Sequence, residues 1–150
     1  MLIIFQDEFN KSKGKPIKYM GKTLVMLDRF PLTGKVTKLK YRIISTNSEW
    51  RQGISLKTKG GFTFGGREEI TESIGIWEDT APREGEFVCR SQDKTIEVVN
   101  VWDTGNGVVE SWYNGAAMWI EELPDGRRYH CNDGHFDDDF DDIVFEILYA

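Results

Sequence analysis

Apolar residues in this chain recur at every second position or stand in short runs of β-branched and aromatic residues. No window longer than about ten residues carries the period of 3.6 that marks an amphipathic helix. Turn-forming sequences such as Gly65-Gly66, Asn114-Gly115 and Pro124-Asp125-Gly126 interrupt the pattern at short intervals, as they do between the strands of antiparallel sheets. The pattern therefore predicts an all-β fold of about ten short strands.

The predicted strands differ mainly in length. They are Leu2–Phe5, Lys22–Asp28, Lys35–Thr46, Gly53–Thr58, Gly61–Phe64, Ile70–Trp77, Gly85–Arg90, Thr95–Trp102, Val108–Tyr113, Ala117–Leu123, Arg127–Cys131 and Ile143–Tyr149. Because Thr95–Trp102 is apolar on both faces, it needs a packed layer on each side. We therefore predict a two-sheet antiparallel β-sandwich of the jelly-roll kind. The basic segment Lys11–Lys18, which contains Gly14 and Pro16, is predicted to be an exposed loop.

The chain has 150 residues, which is enough for one hydrophobic core and short for two, so we expect residues 1–150 to form a single domain. Its formal net charge is −6, which disfavours a nucleic acid as partner because phosphate repels it at long range. Residues 1–75 contain 14 Lys and Arg against 7 Asp and Glu, whereas residues 76–150 contain 5 against 18. These opposite charges leave open a homo-oligomer in which the basic half of one copy meets the acidic half of the next.

The longest uncharged apolar run is Met1–Phe5, far shorter than the roughly 18 residues that span a bilayer. No basic segment precedes this run, so it does not have the pattern of a signal peptide. We therefore expect no membrane span, and a protein that is cytoplasmic or released by a non-classical route.

Two cysteines, Cys89 and Cys131, stand far apart and without a Cys-x-x-Cys partner, which excludes a zinc ribbon and a multi-disulfide scaffold. We expect two buried reduced thiols, and a single disulfide stays open as the alternative. His130 and Cys131 point to opposite sides of their predicted strand, which disfavours a shared zinc ion or a Cys-His nucleophile.

The most informative segment runs from Asn132 to Asp142 and contains six carboxylates. Such a cluster repels itself at neutral pH, and a hard divalent cation would relieve the repulsion. The EF-hand spacing is not met, because its glycine and glutamate positions are occupied by Asp142 and Leu148. We predict a calcium site. Its predicted ligands are Asp133, Asp137, Asp139, Asp141 and Asp142. A solvated turn that protects a sheet edge and an acidic docking surface are the alternatives.

The segment Asp139-Phe-Asp-Asp-Ile-Val-Phe145 resembles the D-F-N-D-L-V-F signature at the end of a group of bacterial extracellular β-sandwich modules of unknown function. Aspartates of that signature are associated with calcium. The resemblance implies that Asp139, Asp141 and Asp142 are ligands or turn formers, and that Ile143–Ile147 is the closing strand. Asp141 stands where the signature has Asn.

Five tryptophans complete the set of candidate residues. We expect Trp102, Trp112 and Trp119 to pack in the core, because their predicted strands also carry Val and Ile. Trp50 and Trp77 flank polar loops and are the candidates for binding a ligand at the surface.

No catalytic pair emerges from the sequence, because the two carboxylates of Glu78-Asp79 or Glu121-Glu122 point to opposite faces of a strand. The sequence thus predicts a non-enzymatic, calcium-binding β-sandwich module that contacts a glycan or protein surface. The alternatives are an acidic-faced inhibitor of the immunity-protein type, which docks on a basic partner, and a self-assembling structural subunit.

Overall fold

The computed structural model describes residues 4–66, 71–135 and 139–150. These described residues form one short helix and eleven strands, so the all-β prediction is confirmed. The elements are α1 (Phe5–Lys11), β1 (Ile17–Tyr19), β2 (Lys22–Val25), β3 (Asp28–Pro31), β4 (Val36–Thr46), β5 (Arg51–Phe64), β6 (Thr71–Trp77), β7 (Glu84–Ser91), β8 (Thr95–Asp103), β9 (Ala117–Leu123), β10 (Gly126–Asn132) and β11 (Ile143–Tyr149).

The strands form one hydrogen-bonded sheet in the order β1-β2-β9-β10-β11-β4-β7-β5-β8-β3, with β6 paired to β5. The long strand β5 connects the two parts of this sheet, because residues 51–57 pair with β8 and residues 60–64 pair with β7. Gly60 pairs with Ser91 at the start of the pairing with β7, and a Cβ there would lie 2.0 Å from the Arg90 carbonyl oxygen. Because hydrogen bonding continues through β5, the predicted division into two separate sheets is not confirmed.

The sheet curls until β3, at one end of the strand order, packs against β10 and β11. The Arg127 guanidinium and the Tyr129 hydroxyl of β10 donate hydrogen bonds to the Asp28 carboxylate of β3 at 3.0 and 2.6 Å. On β11, the Tyr149 hydroxyl donates to the Pro31 carbonyl oxygen at 2.5 Å. β3 is thus paired by its backbone with β8 and joined by side-chain hydrogen bonds to β10 and β11.

Two apolar clusters fill the interior. The larger one lies inside the curl of the sheet. Leu39, Ile54, Val98 and Phe145 are fully buried in it. The smaller cluster holds α1 against β2, β9 and the segment before β11 through Phe5, Phe9, Leu24, Ala117 and Phe140. Helix α1 therefore packs beside the acidic segment that precedes β11.

Charged side chains alternate across five strands on the other face of the sheet. Arg42 of β4 lies opposite Glu84 and Glu146 in the strand register, and Arg128 lies opposite Glu146 and Glu121. The central carboxylate, Glu146, is buried and accepts from Arg128 Nη2 at 2.7 Å and from Arg42 Nη1 at 3.4 Å. This row, Glu84-Arg42-Glu146-Arg128-Glu121, is called the charge row below.

Several predicted segment boundaries are wrong. Phe5 begins a helix instead of ending a strand, because Phe5 and Phe9 bury one face of a helix too short to produce a visible period. Lys11–Lys18 is not a continuous loop, since Lys11 ends α1 and Ile17 begins β1. Lys22–Asp28 divides between β2 and β3, and Gly53–Thr58 joins Gly61–Phe64 in β5.

The predicted strand Val108–Tyr113 is also wrong. Only Glu110 forms a bridge, to Trp102, and the apolar side chains of Val108, Val109, Trp112 and Tyr113 are exposed. Alternation of residue types there does not correspond to a buried face. By contrast, the prediction that β8 is buried on both faces is confirmed, since Val98 and Val99 are both buried.

Both cysteines are free and buried, which confirms the expected pair of reduced thiols. Burial raises the pKa of Cys89 to about 11. None of the helices in the described residues is long and apolar enough to cross a membrane.

Candidate functional site

The acidic segment, residues 133–142, is called the Asp loop. It connects β10 to β11, and its two ends are held by backbone and side-chain hydrogen bonds. The Asp142 N–H donates to the Cys131 carbonyl oxygen at 3.1 Å, and the Phe140 N–H donates to Asn132 Oδ1 at 2.8 Å. Phe140 adopts a φ of 54° and buries its ring against Phe5. These contacts turn the chain so that aspartates on either side of Phe140 face one another.

Three carboxylates of the Asp loop come together. Asp139, Asp141 and Asp142 each offer one oxygen, and these oxygens lie within 4.8 Å of one another. Asp139 is exposed, Asp141 is half-buried and Asp142 is buried. We call these three residues the Asp triad. Of the predicted ligands, Asp137 lies outside the described residues.

Asp141 has a buried carboxylate oxygen that accepts no hydrogen bond from the described residues. Its Oδ2 accepts a hydrogen bond from Asn47 Nδ2 at 2.9 Å. Its Oδ1 is buried and has no hydrogen-bond partner in the described part of the chain. A carboxylate oxygen that is removed from water without a partner is costly, and a bound cation is one way to satisfy it.

Asp133, the remaining predicted ligand, has a different environment. It is fully buried, and its carboxylate accepts hydrogen bonds from Ser48 Oγ at 2.6 Å, Gln52 Nε2 at 2.9 Å and the His135 N–H at 2.9 Å. Its backbone N–H donates to Asp142 Oδ2 at 2.9 Å. Asp133 is not part of the Asp triad, and it fastens the Asp loop to the β4–β5 connection and to the start of β5.

An open, polar depression of about 490 Å³ lies beside the Asp triad. It is lined by Thr46, Asn47, Ser48, Glu49, His135 and Asp142. Asp142 belongs to both the depression and the Asp triad, and Asn47 joins them through its bond to Asp141. A molecule held in the depression would thus lie next to an ion held by the triad.

The two predicted surface tryptophans occupy different places. Trp50 stacks on the His135 ring at 3.8 Å, with 14° between the planes, and so lies at the edge of the depression. Trp77 lies elsewhere, with the Arg51 guanidinium 4.2 Å above its ring and Gly53 against it. The structure therefore brings Trp50, but not Trp77, to the Asp loop.

The other tryptophans follow the sequence prediction in part. Trp102 is buried, as predicted. Trp119 is half-buried and stacks on His130 at 3.9 Å. Trp112 is 44% exposed, so its predicted core position is wrong, because its segment is a loop rather than a strand.

The neighbouring histidine and cysteine point to opposite faces of β10, as the strand period requires. His130 shares a hydrogen bond with Glu121 at 3.1 Å, and this bond is the main cause that lowers the pKa of Glu121. Burial, and then the charge of Asp142, raises the pKa of the Cys131 thiol well above its usual range. Cys131 does not belong to the group of possible metal ligands that the described residues form.

Asn47, Ser48 and Gln52 were not found by sequence reasoning. They contact aspartates that are 94, 85 and 81 positions away along the chain. Polar residues in a predicted loop carry no local sign of such partners. Only the pairing of β4 with β11 brings the two segments together.

Comparisons with models of known families, with curated proteins and with solved structures find no match.

Proposed function

We propose that this protein is a non-enzymatic β-sheet module that binds a calcium ion at the Asp triad and uses the neighbouring surface to contact a glycan or a protein. The observation that carries the proposal is the convergence of oxygens from Asp139, Asp141 and Asp142 within 4.8 Å. The buried Oδ1 of Asp141, which accepts no hydrogen bond from the described residues, supports it. The resemblance of Asp139–Phe145 to a calcium-associated signature points in the same direction.

Calcium is the proposed ion because of the donor atoms. The Asp triad offers only carboxylate oxygens, which suit hard cations. Calcium accepts six to eight oxygens in irregular geometry, whereas magnesium demands a nearly ideal octahedron. The exposed side of Asp139 leaves room for water or a ligand hydroxyl to complete the coordination.

The contact surface is proposed to be the depression beside the Asp triad. Hydroxyl, amide and carboxylate groups line it, and such groups hydrogen-bond to sugar hydroxyls and to polar protein surfaces. Trp50 and His135 form a stacked pair at its edge. Binding to a glycan array is expected to require calcium, and to be lost when a chelator is added.

The test is the melting temperature with calcium or with a chelator. A site with a dissociation constant of about 0.1–1 mM would stabilise the fold by about 1.4–2.7 kcal/mol at about 10 mM calcium. For a domain of this size, that is a rise in Tm of about 3–10 °C. Magnesium at the same concentration is expected to give a smaller rise.

Two double variants separate the site from general charge effects. Asp139→Asn with Asp141→Asn is expected to abolish the calcium-dependent rise. Asp125→Asn with Glu86→Gln removes the same charge from exposed positions in other parts of the sheet and is expected to keep it. No rise in the wild-type protein, or an equal rise in both variants, would contradict the proposal.

A second candidate function is an acidic-faced interaction protein that docks on a basic partner. The observation in its favour is the β8–β9 connection, where Val108, Val109, Trp112 and Tyr113 are exposed. No Lys or Arg occurs between Lys94 and Arg127, so every charged residue of this connection is acidic. Binding of this kind would need no metal and would weaken with salt.

A further inference from the structure

The sequence contains two Asn-Gly pairs, Asn106-Gly107 and Asn114-Gly115, and both lie in the connection between β8 and β9. In such a pair, the backbone nitrogen of the glycine can attack the side-chain amide of the asparagine, because glycine has no side chain to hinder the approach. The two pairs therefore share the same intrinsic chemistry. Their surroundings in the fold differ.

Asn106-Gly107 is exposed. Both the backbone nitrogen of Gly107 and the side-chain oxygen of Asn106 take part in hydrogen bonds. The Gly107 N–H, which would be the nucleophile, donates to Asp103 Oδ1 at 3.2 Å. Asn106 Oδ1, which belongs to the amide that would be attacked, accepts from the Val108 N–H at 3.0 Å. A carboxylate thus lies at the nitrogen that must lose a proton, and a donor lies at the oxygen that gains negative charge.

We propose that Asn106 is a site of self-modification, at which Asp103 acts as the base. The Gly107 nitrogen forms a bond to Cγ of Asn106 as its proton passes to the Asp103 carboxylate. The tetrahedral intermediate then breaks the bond from Cγ to the amide nitrogen, which leaves as ammonia with that proton. Solvent water opens the resulting succinimide at either carbonyl and yields aspartate or isoaspartate.

The contacts around Asn106 favour each part of this reaction. A positioned base typically accelerates a proton transfer by about 10²–10⁴-fold. A backbone N–H aimed at a developing oxyanion stabilises the intermediate. A Cβ placed on Gly105 or Gly107 would meet nothing within 4 Å, so the ring and the longer backbone of isoaspartate have space.

Asn114-Gly115 provides an internal comparison. The Asn114 N–H donates to Gln6 Oε1 at 3.0 Å, and the Asn114 carbonyl oxygen accepts from the Gln6 N–H at 2.9 Å. Gly115 is buried. This pair is thus fastened to α1 on both sides, and the movement that brings its nitrogen to the side-chain amide is opposed.

The modification would change the exposed surface of the β8–β9 connection. A neutral amide becomes a carboxylate beside Asp103, next to the exposed Val108 and Val109. The isoaspartate product also adds one methylene to the backbone. The surface of this connection would thus become more acidic with the age of the molecule.

The test is peptide mapping by mass spectrometry of protein aged in mildly alkaline buffer. We expect conversion at Asn106 to be at least about tenfold faster than at Asn114, a difference of about 1.4 kcal/mol in the barrier. In denaturant, the two rates should become similar. Equal rates in the native protein, or a faster Asn114, would overturn the proposal.

Asp103→Asn tests the role of the base, because it keeps an oxygen acceptor for the Gly107 N–H but removes the carboxylate. We expect conversion at Asn106 to slow by about tenfold or more, while Asn114 is unaffected. Circular dichroism verifies that this variant is folded. An unchanged or faster conversion at Asn106 in the folded variant would refute Asp103 as the base.

Discussion

The hydrogen bond between Tyr129 and Asp28 gives a sharp test of how the curl of the sheet is held. Tyr129 is fully buried on β10, and its hydroxyl donates to Asp28 Oδ2 at 2.6 Å. The ring stacks on Phe145 at 4.8 Å. The change Tyr129→Phe removes the hydroxyl and keeps the stacked ring, so its effect reports on this one contact between β3 and β10.

A hydrogen bond to a charged group contributes about 1.5–3 kcal/mol. Asp28 keeps its contacts to the Arg127 guanidinium after the change, so we expect a loss of about 2 kcal/mol. This corresponds to a fall in Tm of about 4–8 °C. The midpoint of urea unfolding should fall by roughly 1 M with an unchanged slope.

The matched control is Tyr113→Phe, because the Tyr113 side chain is exposed on the β8–β9 connection. This variant should keep the wild-type stability within about 0.5 kcal/mol. A double-mutant cycle with Asp28→Asn should show coupling, since Tyr129→Phe costs less once the carboxylate is gone. A loss below about 0.5 kcal/mol in Tyr129→Phe would refute this explanation of the curl.

The same residue gives a pH signature. Burial, and then the charge of Asp28, raises the pKa of Tyr129 well above its usual value. In the unfolded chain a tyrosine loses its proton near pH 10, whereas the native state retains it. The unfolded state then binds fewer protons, so native stability falls as the pH rises above about 10. This component should be absent in Tyr129→Phe.

Two further predictions concern buried groups in the sheet. Because burial raises the pKa of Cys89 to about 11, only about one Cys89 thiol in a thousand is ionised at pH 8. Neither Cys89 nor Cys131 should therefore react with a thiol reagent until denaturant is added. Rapid labelling of the native protein would contradict this. Glu146→Ala should lower the free energy of unfolding by about 2 kcal/mol, less than the roughly 3–5 of a fully buried pair, because its two arginine partners are 41% and 35% exposed. Urea unfolding measures this loss, and an unchanged midpoint would show that the charge row does not stabilise the sheet.

Local patterns predicted most strands but not how they join. The runs in β4, β8, β9, β10 and β11 carry alternating or β-branched residues, and their positions agree with the structure within a few residues. In β5, the sequence Lys59-Gly60-Gly61 resembles a turn, yet the strand continues. Gly60 is needed there because another backbone approaches closely. Close backbone approach and turn formation favour the same residue.

The candidate site, like the fold, could be predicted from the sequence only in part. The density of carboxylates identified the Asp loop, and the structure brings Asp139, Asp141 and Asp142 together. Sequence could not separate Asp133 from them, because its burial depends on Ser48 and Gln52. Ser48 lies in the distant β4–β5 connection, and Gln52 lies at the start of β5. What composition predicts is the charge of a loop, whereas the partners of each oxygen depend on long-range pairing.

The position of β11 has a consequence for how the molecule is made. Ile143–Tyr149 pairs with β10 on one side and with β4 on the other, and it lies at the middle of the strand order. During synthesis, Val36–Thr46 and Gly126–Asn132 therefore have no common neighbour until residues 143–149 have emerged from the ribosome. Pairings across such long sequence separations form slowly. From its own synthesis until residues 143–149 are available, Val36–Thr46 must leave the edge that faces β11 unpaired, and this is when chaperones would have their greatest effect on the yield.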